Sequence, residues 1–119
     1  MRAIKEIEAD IVHYKADYIF FYIYDKENQV RELVKVELAA ANEKFPPFHS
    51  AHEGWAVLKE EVEELETEAE MAASTLTEAW VFIKDNDQAA KDEIKWLWQY
   101  AINAACEAIQ VAAMCQKFL

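Results

Sequence analysis

One glycine (Gly54) and two adjacent prolines (Pro46, Pro47) leave this 119-residue chain little turn chemistry. With Ala, Glu, Lys and Leu abundant, that scarcity predicts an all-α protein. Basic residues are also few. Twelve Lys and Arg stand against 23 Asp and Glu, for a net charge of −11 at pH 7. Direct nucleic-acid binding is excluded on sign, because phosphate contacts need a basic surface. The two cysteines, Cys106 and Cys115, lie in one predicted helix. Their Sγ atoms are held ~13 Å apart along its axis, too far for a disulfide. Two reduced, largely buried thiols are expected, and they point to a reducing, cytoplasmic compartment. No long apolar run is present. The best, Tyr18–Tyr24, is too short to span a membrane, and no secretory signal is visible.

What is present suffices for one domain. The chain is 54% hydrophobic and 13% aromatic, which excludes disorder. Helical spacing runs through Ile4, Ile7, Ile11, Tyr14, Tyr18 and Phe21. The Tyr18–Tyr24 run has the strongest β propensity, yet no second strand of similar quality exists to pair with it. Asp25-Lys26-Glu27-Asn28 offers a break. Val30, Leu33, Val34 and Leu38 then form a second stripe ending near Asn42. Pro46 and Pro47 force a loop, and Ser50-Ala51-His52-Glu53 reads as a capping box opening a third helix. Its stripe is Leu58, Val62, Leu65, Ala69, Ala72 and Leu76. Asp85-Asn86-Asp87 is the next break, with Ser74–Thr77 a weaker one. A last helix carries Ile94, Leu97, Ala101, Ala104, Ala108 and Val111. The expected fold is a four- to five-helix bundle in which a long antiparallel hairpin carries the site.

That site is a split set of carboxylates. Glu61 with Glu64, and Glu107 with Gln110, each sit three residues apart and so share a helix face. The midpoint of 64 and 107 is 85.5, and so is that of 61 and 110. A hairpin turning at Asp85–Asp87 therefore sets Glu64 level with Glu107, Glu61 with Gln110, and Glu68 with Asn103. Gln99, Asn103, Glu107 and Gln110 make a polar stripe on an otherwise apolar helix. Buried carboxylates need partners, and Mg²⁺, with its preference for oxygen ligands, is a suitable one. Glu60, Glu63, Glu66 and Glu70 fall to solvent.

With these residues in view, the stretch from about Arg31 to Leu119 resembles the MazG-like all-α nucleoside triphosphate pyrophosphohydrolases, in particular their phage and bacterial members. The resemblance lies in the run Phe45-Pro46-Pro47-Phe48-His49-Ser50-Ala51-His52-Glu53-Gly54-Trp55 through Glu61, and in the closing Glu107-Ala108-Ile109-Gln110. The family pattern is Glu-x-x-Glu on one helix and Glu-x-x-Asp on the next. Glu61 and Glu64 match the first pair and Glu107 the third ligand, while Gln110 stands where the family has Asp. The gap between the two motifs is longer than usual, which the shared midpoint explains by extending both helices. Residues 1–27 lie outside the resemblance and read as an added helix.

The resemblance implies hydrolysis of an NTP or dNTP to a monophosphate and pyrophosphate. Glu61, Glu64, Glu107 and Gln110 would hold Mg²⁺, with Mn²⁺ as a substitute, and Glu64 or Glu61 would activate water. Lys44, Lys59 and Lys95 are candidates for the polyphosphate. His49 and His52 flank a helix start that favours anions, Trp55 is placed to stack on a base, and Asn103 lies one level along. Family members are dimers or tetramers, and the aromatic excess independently suggests surface that a partner buries. Two other readings are open: a catalytically silent helical assembly or regulatory protein of the same fold, and an acidic mimic of DNA.

Overall fold

The computed structural model describes residues 25–119. The chain divides into two compact units, Met1–Leu33 and Val34–Leu119. In the first, residues 25–33 are helical, including the Asp25–Asn28 segment expected to break the chain. Pairs four residues apart hold it in that form. Gln29 Nε2 donates to Asp25 Oδ2 at 2.7 Å, and Arg31 Nη2 to Glu27 Oε1 at 3.0 Å. The Tyr18–Tyr24 run and most of the added helix at 1–27 lie outside the described residues.

In the second unit, residues 34–44 (α1), Ala51–Lys84 (α2) and Ala89–Phe118 (α3) are helical. Among the described residues there is no strand. The proline loop separates α1 from α2 as expected. Ser50 is extended and its Oγ accepts the Glu53 N–H at 3.1 Å, which caps α2. The other half of the expected capping box is displaced by one residue. Glu53 Oε2 accepts from the backbone N–H of His49 (3.2 Å) and lies 2.8 Å from its Nδ1. The contact with His49, first through the side-chain hydrogen bond, holds the Glu53 carboxyl below its ordinary pKa.

Gly54 serves packing rather than a turn. A Cβ there would lie 2.5 Å from Phe118 Cδ2 and 3.1 Å from Phe48 Cδ2. Its bare backbone thus lets the end of α3 and the proline loop close on the start of α2. The weak break at Ser74–Thr77 does not occur. The Thr75 and Thr77 hydroxyls bond back to Met71 O (2.8 Å) and Ala73 O (3.2 Å), so α2 runs on for 34 residues.

The reversal falls at Asp85-Asn86-Asp87. Asn86 takes the left-handed conformation at φ 52°. The Asp87 N–H reaches Phe82 O at 2.9 Å and the Asn86 N–H reaches Ile83 O at 3.1 Å, the bond pair of a Schellman motif. Asp87 Oδ1 then accepts the Ala89 N–H at 2.9 Å and starts α3. Three residues end one long helix and begin the next. The resulting register is the one the midpoint predicts: Asn103 Nδ2 donates to Glu68 Oε2 at 3.3 Å, 35 residues away. Nearer the turn, partial burial and then the charge of Glu78 hold the Glu93 carboxyl above its ordinary pKa.

Packing corrects the expected core. Ala79 and Ala113 are the only hydrophobic residues fully buried among those described, and no large side chain is. Leu58, Leu65, Leu97, Ala104 and Val111 are half-buried on the inner line, but Val62, Ala69, Leu76, Ile94, Ala101 and Ala108 of the predicted stripes face outward. The four tryptophans are 57–68% exposed, and both cysteines are exposed rather than buried. The reason is that α2 and α3 are each apolar on more than the one face that the other can cover.

The left-handed turn yields a first prediction. Replacing Asn86 by Val forces a β-branched residue to a positive φ and costs about 1–2 kcal/mol of stability, whereas Asn86→Gly is tolerated. Urea unfolding at fixed protein concentration checks this, and an equal loss in both variants refutes it.

Candidate metal centre

The hairpin register sets the site. Glu61 and Glu64 project from α2 and Glu107 from α3, and one carboxylate oxygen of each lies within 4.8 Å of the others. Glu64 is exposed, whereas Glu61 and Glu107 are half-buried. Gln110 completes the group. Its amide is assigned with nitrogen toward the carboxylates, since the opposite orientation would face oxygen to acceptors alone. So placed, it donates to Glu61 Oε2 at 3.0 Å and Glu107 Oε2 at 3.3 Å. Along α3 the polar stripe is continuous, with Gln99 Nε2 donating to Asn103 Oδ1 at 2.9 Å.

Partial burial and then crowding raise the proton affinity of Glu61 and Glu107. Partial burial, then the charges of Glu64, Glu107, Glu60 and Glu37, push the Glu61 carboxyl up. Partial burial, then a hydrogen bond shared with Glu64 and the charges of Glu64 and Glu68, push Glu107 up. Like charges brought together disfavour full ionisation. A proton or a cation would relieve that repulsion.

The donor set fits a hard divalent ion. Three carboxylates offer oxygen ligands with no sulfur or imidazole among them, and Gln110 would join them only with its amide turned to face its oxygen inward. Ligand oxygens of an octahedral Mg²⁺ lie at most about 4.2 Å apart, and the three carboxylate oxygens fall within 4.8 Å of one another. Glu61 and Gln110 also border a cavity of about 420 Å³. Phe45, Phe48, Val57 and Met114 give it apolar walls, and Glu37, Glu60 and Lys117 stand at its edges.

The other sequence candidates fall elsewhere. Lys44 Nζ sits 5.7 Å from the Phe45 ring centre. Lys59 bonds Glu63 Oε1 at 2.6 Å and lies over Trp55 at 5.9 Å, and Lys95 faces Asp92 at 3.9 Å. His52 and Trp55 are exposed, and none of these residues lines the cavity. Asn103 is engaged one level from the cluster by Glu68. Lys117 was not singled out, although its spacing held the signal. It continues the inward stripe of Asn103, Glu107, Gln110 and Met114, and its Nζ lies 4.9 Å from the Phe48 ring centre. Glu37 had no such signal, because α1 lies outside the hairpin register.

No protein-family model, no curated protein and no solved structure matches the chain.

The raised carboxyls make the cation testable without any assay of activity. Because Glu61 and Glu107 titrate higher in the folded chain, it binds their protons more tightly than the unfolded chain does. Their contribution favours folding in acid and declines as pH rises through the raised values. Mg²⁺ at ten times its Kd then stabilises the protein by about 1.4 kcal/mol at pH 7.5, and by little at pH 4, where protons occupy the same oxygens. Thermal unfolding with and without Mg²⁺ measures this. Glu107→Gln is expected to abolish the gain, and an undiminished gain in that variant removes Glu107 from the site.

Proposed function

We propose that the protein is a metal-dependent nucleoside triphosphate pyrophosphohydrolase that converts an NTP or dNTP to the monophosphate and pyrophosphate and works as a homo-oligomer. The observation that carries this reading is the convergence of Glu61, Glu64 and Glu107 from two helices on one point beside an apolar-walled cavity. The motif resemblance from Arg31 to Leu119 supports it, and so does the cation on the cavity wall, Lys117.

The residues have distinct tasks. Glu61, Glu64, Glu107 and Gln110 would hold Mg²⁺ or Mn²⁺. When bound, that ion supplies positive charge at the reacting phosphate and makes water a stronger nucleophile. Glu64, the exposed member, is reached by solvent and accepts the proton of the attacking water, with Glu61 beside it as the alternative base. Water oxygen bonds to the α-phosphorus, the bond to the α–β bridging oxygen breaks, and pyrophosphate leaves. Lys117 offsets polyphosphate charge, while Phe45, Phe48 and Met114 offer the base an apolar wall. A four- to five-helix bundle requires helices beyond the three described, from residues 1–24 or from another copy.

One observation favours a second reading, a catalytically silent assembly or regulatory protein of the same fold. The Gln110 amide bridges Glu61 and Glu107 by donating to both, and so partly does what a cation would do. It also gives the site one carboxylate fewer than the family pattern.

A panel of NTPs and dNTPs assayed for Mg²⁺-dependent pyrophosphate release separates the two. Turnover is expected with at least one nucleotide, and Glu64→Gln and Glu107→Gln are each expected to lower it at least about 100-fold with helicity retained. Silence across the panel, together with no Mg²⁺ or Mn²⁺ binding by calorimetry, favours the second reading. Robust turnover in both variants overturns the site assignment.

A further inference from the structure

The outer face of α3 is the least expected surface of this chain. In a protein that is 29% charged, residues 96–116 contain one charged side chain, Glu107. Glu107 belongs to the cluster with α2, so the outward face of this stretch carries no charge. Ile94, Trp98, Ala101, Ala105, Ala108 and Ala112 are all exposed along it, and Cys115 follows. Their spacings alternate four and three through the series, the pattern of a helix seam that meets another helix. Trp98, at 68% exposure, is its largest member.

We infer that this seam is where two copies of the chain meet, α3 against α3 and antiparallel. The proposal deepens the homo-oligomer named above by giving it a surface, and it does not depend on hydrolysis. Three features select a second copy as the occupant. Two chains of net charge −11 repel each other, so they meet at lowest cost where neither presents a charge to be desolvated. The run of alanines lets two helix backbones come to the short end of the usual 8–10 Å packing range. The seam is also complementary to itself. A two-fold axis between residues 106 and 107 sets Trp98 opposite Cys115, Ala101 opposite Ala112 and Ala105 opposite Ala108, so each large ring meets a small residue. A parallel pairing would set Trp98 against Trp98 and leave the alanine end unfilled.

The exposed Cys115 and outward alanines, both contrary to a buried reading of α3, follow from one cause. They form part of an intermolecular core, in which Cys115 is covered by the partner's Trp98.

Light scattering on the full chain, with Ala108→Glu and a cysteine pair as variants, tests the proposal. The wild-type mass is expected to be a multiple of 13.8 kDa, and Ala108→Glu halves it at the same concentration. In a background of Cys106→Ser and Cys115→Ser, the double change Ala105→Cys and Ala108→Cys is expected to give a disulfide-linked dimer under mild copper-phenanthroline oxidation. That reagent takes up the two electrons, and the two thiols release their protons. A cysteine pair at Glu66 and Glu70, on the exposed face of α2, is expected to give none. A wild-type mass of 13.8 kDa overturns both the seam and the homo-oligomer. A larger mass that Ala108→Glu leaves unchanged, with no cross-link, overturns the seam alone. If Ala108→Glu prevents folding, the cross-link decides.

Discussion

Asn86 turns the chain in the left-handed region, and every cross-helix pair in the hairpin is counted from that reversal. Glu68 meets Asn103 and Glu61 meets Gln110 because each pair is equidistant from it. A one-residue change in the turn would rotate α3 by about 100° relative to α2. The carboxylates would then separate, and apolar residues would be carried to the site. The turn is therefore fixed redundantly, by two backbone bonds closing α2 and by the Asp87 carboxylate opening α3. A site assembled by register alone needs that redundancy, since neither helix holds a complete set of ligands.

The cluster works against the fold that builds it. Partial burial and mutual repulsion raise the proton affinity of Glu61 and Glu107, and the hairpin has little core with which to offset this. Its fully buried hydrophobic residues are alanines. Small residues let α2 and α3 approach closely but bury little apolar area each. Charge repulsion at the site and a thin interior have the same remedy, a partner. A cation or the Gln110 amide answers the first, and a second protein surface answers the second.

Much of this was legible in the sequence. The all-helical class followed from the missing glycine and proline, the loop from Pro46-Pro47, and the register from turn residues alone. Other features were not legible, for identifiable reasons. The Asp25–Asn28 and Ser74–Thr77 segments read as breaks because their residues compete for backbone hydrogen bonds. In the structure, pairs four apart and hydroxyls bonding back into the helix absorb that competition. Glu53 carries half of a capping box, but periodicity does not reveal that His49 would take its carboxylate. The apolar stripes of α2 and α3 were legible as hydrophobic but not as inward or outward. On an apolar helix, 3.6-residue periodicity loses its contrast.

That loss of contrast links the site to the surface. The inner line of α3 carries Asn103, Glu107, Gln110 and Lys117, and the outer line carries Trp98 and the alanines. One helix therefore presents ligands on one side and an uncharged apolar seam on the other. Monomeric proteins seldom keep so continuous an apolar strip in water, which is why the outer line is proposed as a contact surface. Once both sides of α3 are held, Glu107 and Gln110 lose the freedom to move away from Glu61 and Glu64. Repelling carboxylates stay together only when the elements carrying them cannot part. In this chain α2 holds the inner face of α3, and the proposed seam would hold the outer one.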